Sequence, residues 1–506
     1  MKPHIVIGAG FGGLASAIRL RAMGHPVLVL EANEQAGGRA SVWTKDGYTF
    51  DAGPTVITAP YLFDELFQLV GRDPRDYYEM IPVDPFYRVL FPDNTTFDYV
   101  GDDERLLAQI GAMSPRDVDG YRKLVKQAQA IFDVGYTQLA DQPFDRLSDM
   151  LRIVPQMIKL GSWRSVHGMV AAHIHDERLR QVLTFEPLLI GGNPFTAPSI
   201  YLLIHWLERK WGVHFPRGGT GALVAAMVRL LNELGVEVRT NAPVEHIEVN
   251  DGRAVAVRLE GGERIEAEAV VYNGDPSFAY SRLIETSARP THTDRAVAKV
   301  VQSPSLFVSY FGTDRTWPEL AHHTIVLGPR YKELLDDIFR KRILAEDFSL
   351  YLHAPTRTDA SLAPAGHEAF YVLSPVPNQK SGVDWSTRGA EYEESILASL
   401  EARMLPGLRS HIDTRFNLDP RYFAGRLRSV DGAAFGPEPK LTQSAYLRYH
   451  NRSEDVGGLY FVGAGTHPGA GVPGVVNSAR VLDRIVARPE TAVPLPGRQP
   501  NKQRAA

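Results

Sequence analysis

Apolar positions in this chain gather in short runs cut by glycine rather than in long stripes. Ile5-Val6-Ile7 is a β-branched run that stops at Gly8-Ala9-Gly10-Phe11-Gly12-Gly13. Such a run predicts a buried strand ending in a turn. Leu14, Ile18 and Leu20 follow among small residues with helical spacing as far as Gly24. Val27-Leu28-Val29-Leu30 predicts the next strand, closed by Glu31. The alternation returns later. Phe215-Pro216-Arg217-Gly218-Gly219-Thr220 precedes a helical pattern reaching Leu234, and Gly235-Val236-Glu237-Val238, Val244-Glu245-His246-Ile247 and Val270-Val271-Tyr272-Asn273 read as strands. Near the far end, Gly458-Leu459-Tyr460-Phe461-Val462 runs into Gly463-Ala464-Gly465-Thr466, and a helix is expected from about Val475 to Val486. Strands alternating with helices predict an α/β protein with a parallel sheet.

The intervening stretches differ in character. Residues 110–215 read as mostly helical and apolar. Within them Met150–His175 carries Arg152, Lys159 and Arg164 but no acid, with Leu151, Val154, Ile158, Trp163, Val166 and Met169 as an apolar side. That pattern suits either a helix lying on a membrane surface or an ordinary packing helix. Pro187–Leu207 has no Asp, Glu, Lys or Arg and is long enough to cross a bilayer, but Pro187, Pro194, Pro198 and Gly191-Gly192-Asn193 break it. It reads as a buried loop-and-helix wall, and no transmembrane span is expected. Strand-like runs at Leu306–Tyr310, Phe348–Leu352 and Phe370–Leu373 predict a sheet over the substrate. The expected division is residues 1–75 with 216–285 and 426–488 as a nucleotide domain, 76–109 with 286–425 as a substrate domain, 110–215 as a helical insert acting as lid or membrane contact, and 489–506 as a disordered tail.

Composition narrows the chemistry. The 506 residues are 23% charged with a net charge of −4, so no positive field favours nucleic acid. Cysteine is absent, which excludes disulfides, thiolate metal sites and cysteine nucleophiles, and suits a cytoplasmic setting. His322, His323, His353, His450 and His467 lack metal-ligand spacing, and no metal is expected.

Strand, Gly-x-Gly-x-x-Gly, helix, strand and acid together carry a specific function. Gly8 permits a tight turn, Gly10 lets the backbone approach a pyrophosphate, and Gly13 lets helix and strand pack closely. The helix N-terminus offers free N–H groups to phosphate, and Glu31 can accept ribose hydroxyls. A Rossmann-type dinucleotide site follows. Gly37-Gly38-Arg39 and Phe50-Asp51-Ala52-Gly53-Pro54 then resemble the flavoprotein pattern, with Arg39 over the cofactor or else a surface ion pair, so FAD is favoured over NAD. The Gly463–Gly474 element adds a second glycine-rich helix start, able to stabilise negative charge on a reduced flavin.

Taken together, Ile5–Leu14, Phe50–Ile57, Trp211–Thr220 and Val462–Gly469 resemble the bacterial-type phytoene desaturases of the flavin amine oxidase-like superfamily, from Lys2 to about Val486. The resemblance implies a FAD-dependent carotenoid desaturase that converts phytoene to lycopene by hydride transfer and proton loss, at a membrane surface, with a quinone or oxygen as electron acceptor. It implies flavin contacts at Gly8, Gly10, Phe11, Gly12, Gly13, Glu31, Arg39 and Gly53, at the Val244 backbone, and at Gly463, Ala464 and Val475. Ala464 stands where related amine oxidases usually place an acid, which argues against amine oxidation. Asp149 and Arg152, one helical turn apart, are candidates to assist the chemistry or else form a plain surface pair. Open alternatives are a neurosporene-forming, C30 or hydroxycarotenoid 3,4-desaturase, and a flavin-free isoprenoid carrier of the GDP-dissociation-inhibitor type.

Overall fold

The computed structural model describes residues 2–495. His4–Ile7 sits in the middle of a five-stranded, wholly parallel sheet, between Val27–Leu30 and Ala269–Tyr272. Glu237–Arg239 and Leu459–Phe461 form its edges. Every residue of the three central strands is buried, as a parallel sheet covered on both faces requires. Val6, Val29 and Val271 pack with the helices Phe11–Met23, Gly219–Glu233 and Val472–Ile485. Ile5, Leu28 and Val270 face a three-stranded antiparallel sheet of Val244–Asn250, Arg253–Leu259 and Arg264–Glu266.

A second sheet has seven strands, in the order Ile412–Leu418, Ser305–Thr313, Glu368–Val376, Leu350–His353, His323–Val326, Tyr87–Leu90 and Thr96–Tyr99. Its pairings are antiparallel except that of His323–Val326 with Tyr87–Leu90. The strand expected from Phe348 begins only at Leu350, since Ser349 takes the Gly328 N–H through its hydroxyl rather than through the ladder.

Between Asp103 and Trp211 the chain is largely helical. The amphipathic stretch expected over Met150–His175 is not one helix. It divides into Leu147–Lys159 and Val166–Ala171 around Gly161, whose φ of +71° favours glycine. The division sends Val166 and Met169 into the core and leaves Leu151, Ile158 and Trp163 more than 60% exposed. Among the described residues no helix is long and apolar enough to cross a membrane. Of the tail expected to be disordered, residues 496–506 lie outside the described residues. Just before them the Val493 N–H donates to the Gly24 carbonyl at 2.8 Å, and Arg21 donates to the carbonyls of Val493 and Pro494.

Arg19 ties three helices together. Its guanidinium, 1% exposed on the helix Phe11–Met23, meets Asp483 at 2.7 Å and Glu65 at 3.0 Å. The Glu65 oxygen that faces Arg19 is buried, so loss of Arg19 removes its nearest cation. Arg19→Met is expected to lower stability by about 2 kcal/mol, the range for hydrogen bonds to charged groups. A urea unfolding curve followed by tryptophan fluorescence measures it.

Candidate active site

The two glycine-rich turns from opposite ends of the chain close on one side chain, Asn273, at the end of its strand. The Asn273 Nδ2 donates to the Gly8 carbonyl at 3.3 Å. A Cβ placed on Gly12 would lie 2.5 Å from Asn273 Oδ1 and 3.2 Å from Gly463, and one on Gly463 would lie 2.7 Å from that same oxygen. On Gly13 it would lie 1.9 Å from the Gly8 carbonyl oxygen, so helix and strand can approach this closely only without a side chain. Gly8 and Gly463 also have φ of +95° and +96°. Helices Phe11–Met23 and Val472–Ile485 start here with glycine N-caps, no side-chain cap and no acid in the first turn. Their first N–H groups are left for an anion.

This cradle opens into a cavity of about 900 Å³ that continues to the helical insert and the seven-stranded sheet. Its wall includes Gly8, Gly10, Phe11, Gly12, Glu31, Arg39, Gly53, Val244, Gly463, Ala464 and Val475. Of the expected flavin contacts, only Gly13 lies behind the wall. Glu31 is buried, accepting the Ala9 N–H at 2.8 Å and the Asn33 N–H at 2.9 Å, which anchors its carboxylate beside the first turn. Arg39 is not a surface ion pair: it donates to the Ala434 carbonyl at 2.6 Å and to Ser429 Oγ at 3.0 Å. The Val244 carbonyl accepts from Arg428 at 3.0 Å, and that of Ala464 from Arg448 at 2.6 Å. Tyrosines of the second sheet hold the Ala52–Thr55 loop, with Tyr310 donating to the Ala52 carbonyl at 2.7 Å and Tyr371 to that of Gly53 at 2.9 Å. Thr55 Oγ1 lies 2.7 Å from the Tyr371 hydroxyl.

The other candidates are placed differently. Asp149 and Arg152 stand 3.9 Å apart, as their spacing implies, but Arg152 is 80% exposed and neither residue lines the cavity. Met150, Ile153, Val154 and Met157 take the inner side of that helix instead. His467 does line the cavity. Burial lowers its pKa to about 4, and its Nε2 lies 3.2 Å from the Leu139 carbonyl, so it is a neutral donor. His322, His323 and His353, whose sequence spacing gave no metal pattern, have nitrogens within 4.8 Å of one another. Antiparallel pairing sets His323 opposite His353, and His322 Nε2 lies 3.0 Å from His353 Nε2. Burial holds all three imidazoles far below their ordinary pKa, hence neutral. Sequence reading also passed over Asn273 and a buried carboxyl pair, Glu186 and Glu208.

Residues 11–481 match the family described as flavin containing amine oxidoreductase. A lycopene-forming phytoene desaturase of Pantoea ananas is 50% identical over 481 residues, covering 95% of this chain and 98% of that protein. The neurosporene-forming phytoene desaturase of Rhodobacter capsulatus is 43% identical, covering 97% and 95%. The chain belongs to the phytoene desaturases of the flavin-containing amine oxidoreductase family. Among solved structures, putrescine oxidase bound to putrescine superposes with a TM-score of 0.64 at 16% identity, covering 96% of this chain and 99% of that one. At that identity the likeness concerns the fold alone.

FAD is the cofactor of this phytoene desaturase family member. The cradle fits it: a Cβ would fill the space at Gly12 and Gly463, two uncapped helix starts await negative charge, and Arg39 and Glu31 stand in the same wall. Gly13→Ala is therefore expected to yield protein that has lost nearly all its flavin or fails to fold. Gly425→Ala, where a Cβ meets nothing within 4 Å, is expected to keep a full complement. The ratio of flavin absorbance to protein after purification decides.

Proposed function

We propose that this chain converts phytoene to lycopene by successive dehydrogenations. The observation that carries this reading is the continuity of the glycine cradle with a cavity whose further walls are apolar. Leu306, Leu327, Ile338, Leu373 and Met157 line it, which suits a hydrocarbon with no polar handle. When bound, FAD supplies a two-electron acceptor able to take a hydride from an allylic carbon. The protein's own part is to hold the chain in reach and keep water from the electron-poor polyene. Lycopene as product, rather than neurosporene, is favoured by the higher identity to lycopene-forming relatives, 50%, 51% and 46% against 43%.

Gly8, Gly10, Phe11, Gly12, Glu31 and Arg39 take the dinucleotide end in this reading, with Gly13 supporting the turn behind it, and Gly53, Val244, Gly463, Ala464 and Val475 take the remaining contacts. Asp149 and Arg152 take no part in the chemistry in this reading, because neither lines the cavity. The expected outcome of incubating flavin-loaded protein with phytoene in liposomes is a red product with the visible spectrum of lycopene. A protein that binds the polyene but neither holds flavin nor colours it would be a carrier instead.

The insert is the membrane contact in this account. Leu147, Leu151, Ile158 and Trp163 are 55–64% exposed, and Leu441 and Leu447 beside them are 52% and 56% exposed. Ile158, Trp163, Leu441 and Leu447 also belong to the cavity wall, so this apolar patch rims the entrance. Arg164 lies 5.2 Å from the Trp163 ring, a cation placed for lipid phosphates. A cytoplasmic, peripheral protein would draw phytoene straight from the bilayer and pass electrons to a quinone or to oxygen. Leu151→Asp and Trp163→Asp are each expected to weaken liposome sedimentation about tenfold, the worth of one buried apolar side chain, while leaving flavin content unchanged.

A further inference from the structure

Desaturation releases one proton for each double bond formed, and the cavity offers few groups that can take it. Among the residues of its wall only Glu31 and Glu208 are carboxylic acids, and Glu31 belongs to the dinucleotide end. Glu208, on the helix Leu203–Trp211, is fully buried. Its Oε1 accepts from the Tyr87 hydroxyl at 2.7 Å, whereas its Oε2 is buried without a partner. Glu186 packs beside it, 2% exposed, and lies 3.0 Å from His205 Nδ1. His205 continues the line to the hydroxyls of Tyr99 at 3.2 Å and Tyr121 at 3.1 Å. No lysine or arginine forms an ion pair with either carboxyl among the described residues.

Resting on the desaturase reading above, we propose that Glu208 is the proton acceptor of the reaction, and that Glu186 is the positioning residue that shares its proton. The two carboxyls carry one proton between them. As the allylic C–H bond next to the electron-poor carbon breaks, its electron pair becomes the new C=C bond and its proton passes to the free oxygen of Glu208. The hydride lost from the neighbouring carbon goes to the flavin that the activity already supplies. The proton then leaves through Glu186 and His205, entering at Nδ1 and passing from Nε2 towards Tyr121.

Basicity agrees with this placement. Burial raises both carboxyls well above the ordinary carboxylate range; the like charge of Glu186 raises Glu208 further, while the hydrogen bond between them lowers Glu186. Burial lowers His205 to about 3, so it is a neutral relay and a poor base. The buried histidines near Tyr351 are depressed in the same way and serve no better. Tyr87, Tyr99, Tyr121, His205 and Arg209 are the titratable groups facing the pair, and burial keeps the three tyrosines protonated. A pair sharing one proton titrates as a unit.

Flavin-loaded wild type, E208Q, E208D, E186Q and E186L are compared on phytoene liposomes. Loss of a general base costs about 10²–10⁴ in rate, so E208Q is expected to lose at least a hundredfold in turnover with flavin content unchanged, and E208D to recover part of it. E186Q removes the charge of Glu186 that raises Glu208, and its acid limb should move to lower pH. E186L removes that charge as well, and its acid limb should move the same way. Infrared difference spectra of flavin-free wild type against E208Q should show the carbonyl band of a protonated, buried carboxylic acid at neutral pH. E208Q turning over within threefold of wild type, an E186L profile that does not move, or the absence of that band would each overturn the assignment. If E208Q does not fold, the E186L profile still decides. A wild type that colours no phytoene would instead overturn the desaturase reading.

Discussion

Everything in this fold that can hold a dinucleotide depends on how closely two backbone turns approach the side chain of Asn273. Gly8, Gly10, Gly12 and Gly13 come from the start of the chain and Gly463 from its end. A Cβ on any of them would fall within about 3 Å of Asn273 or of the turn itself. One amide side chain thus measures the gap between the central strands of the parallel sheet. Two helix starts are aimed into the opening that remains. A bulkier residue at these positions would separate the turns, and the helix ends would no longer converge.

The second organising feature is the distribution of polarity along one cavity. At the glycine end, Glu31, Arg39 and the uncapped helix starts give it fixed charge and dipoles. Beyond Thr55 and its tyrosines the walls are mostly aliphatic and aromatic, and the carboxyl of Glu208 interrupts them. Buried carboxyls without a cation are costly. Here sharing a proton and the Tyr87 hydroxyl offset part of that cost, leaving a base of raised affinity where an apolar substrate would lie. The tyrosines that hold Ala52 and Gly53 come from the seven-stranded sheet, so the sheet over the substrate also fixes a loop of the cofactor cradle.

How much of this was legible in the sequence follows from whether the signal is local. The glycine turns, the strands beside them and the helix starts are written in contiguous residues and stand close to where their pattern predicts, although the last helix starts at Val472 rather than Val475 and one edge strand at Glu237 rather than Gly235. Asn273 was visible only as the last residue of a strand, because its role depends on the partner turns. Glu186 and Glu208 immediately flank the uncharged stretch Pro187–Leu207, so they mark its limits in the sequence, yet only the fold brings them together. The histidines meet through strand register rather than spacing. For Asp149 and Arg152 the helical spacing brings the pair together, and Met150, Ile153 and Met157 are the residues of that helix that line the cavity.

The account stands on flavin and polyene occupying one continuous cavity. Mixing the flavin-loaded protein anaerobically with phytoene liposomes, and following flavin and polyene absorbance together, tests that directly. The account predicts that the flavin bleaches in step with the formation of one new double bond per flavin. Phytoene bound while the flavin stays fully oxidised would contradict it.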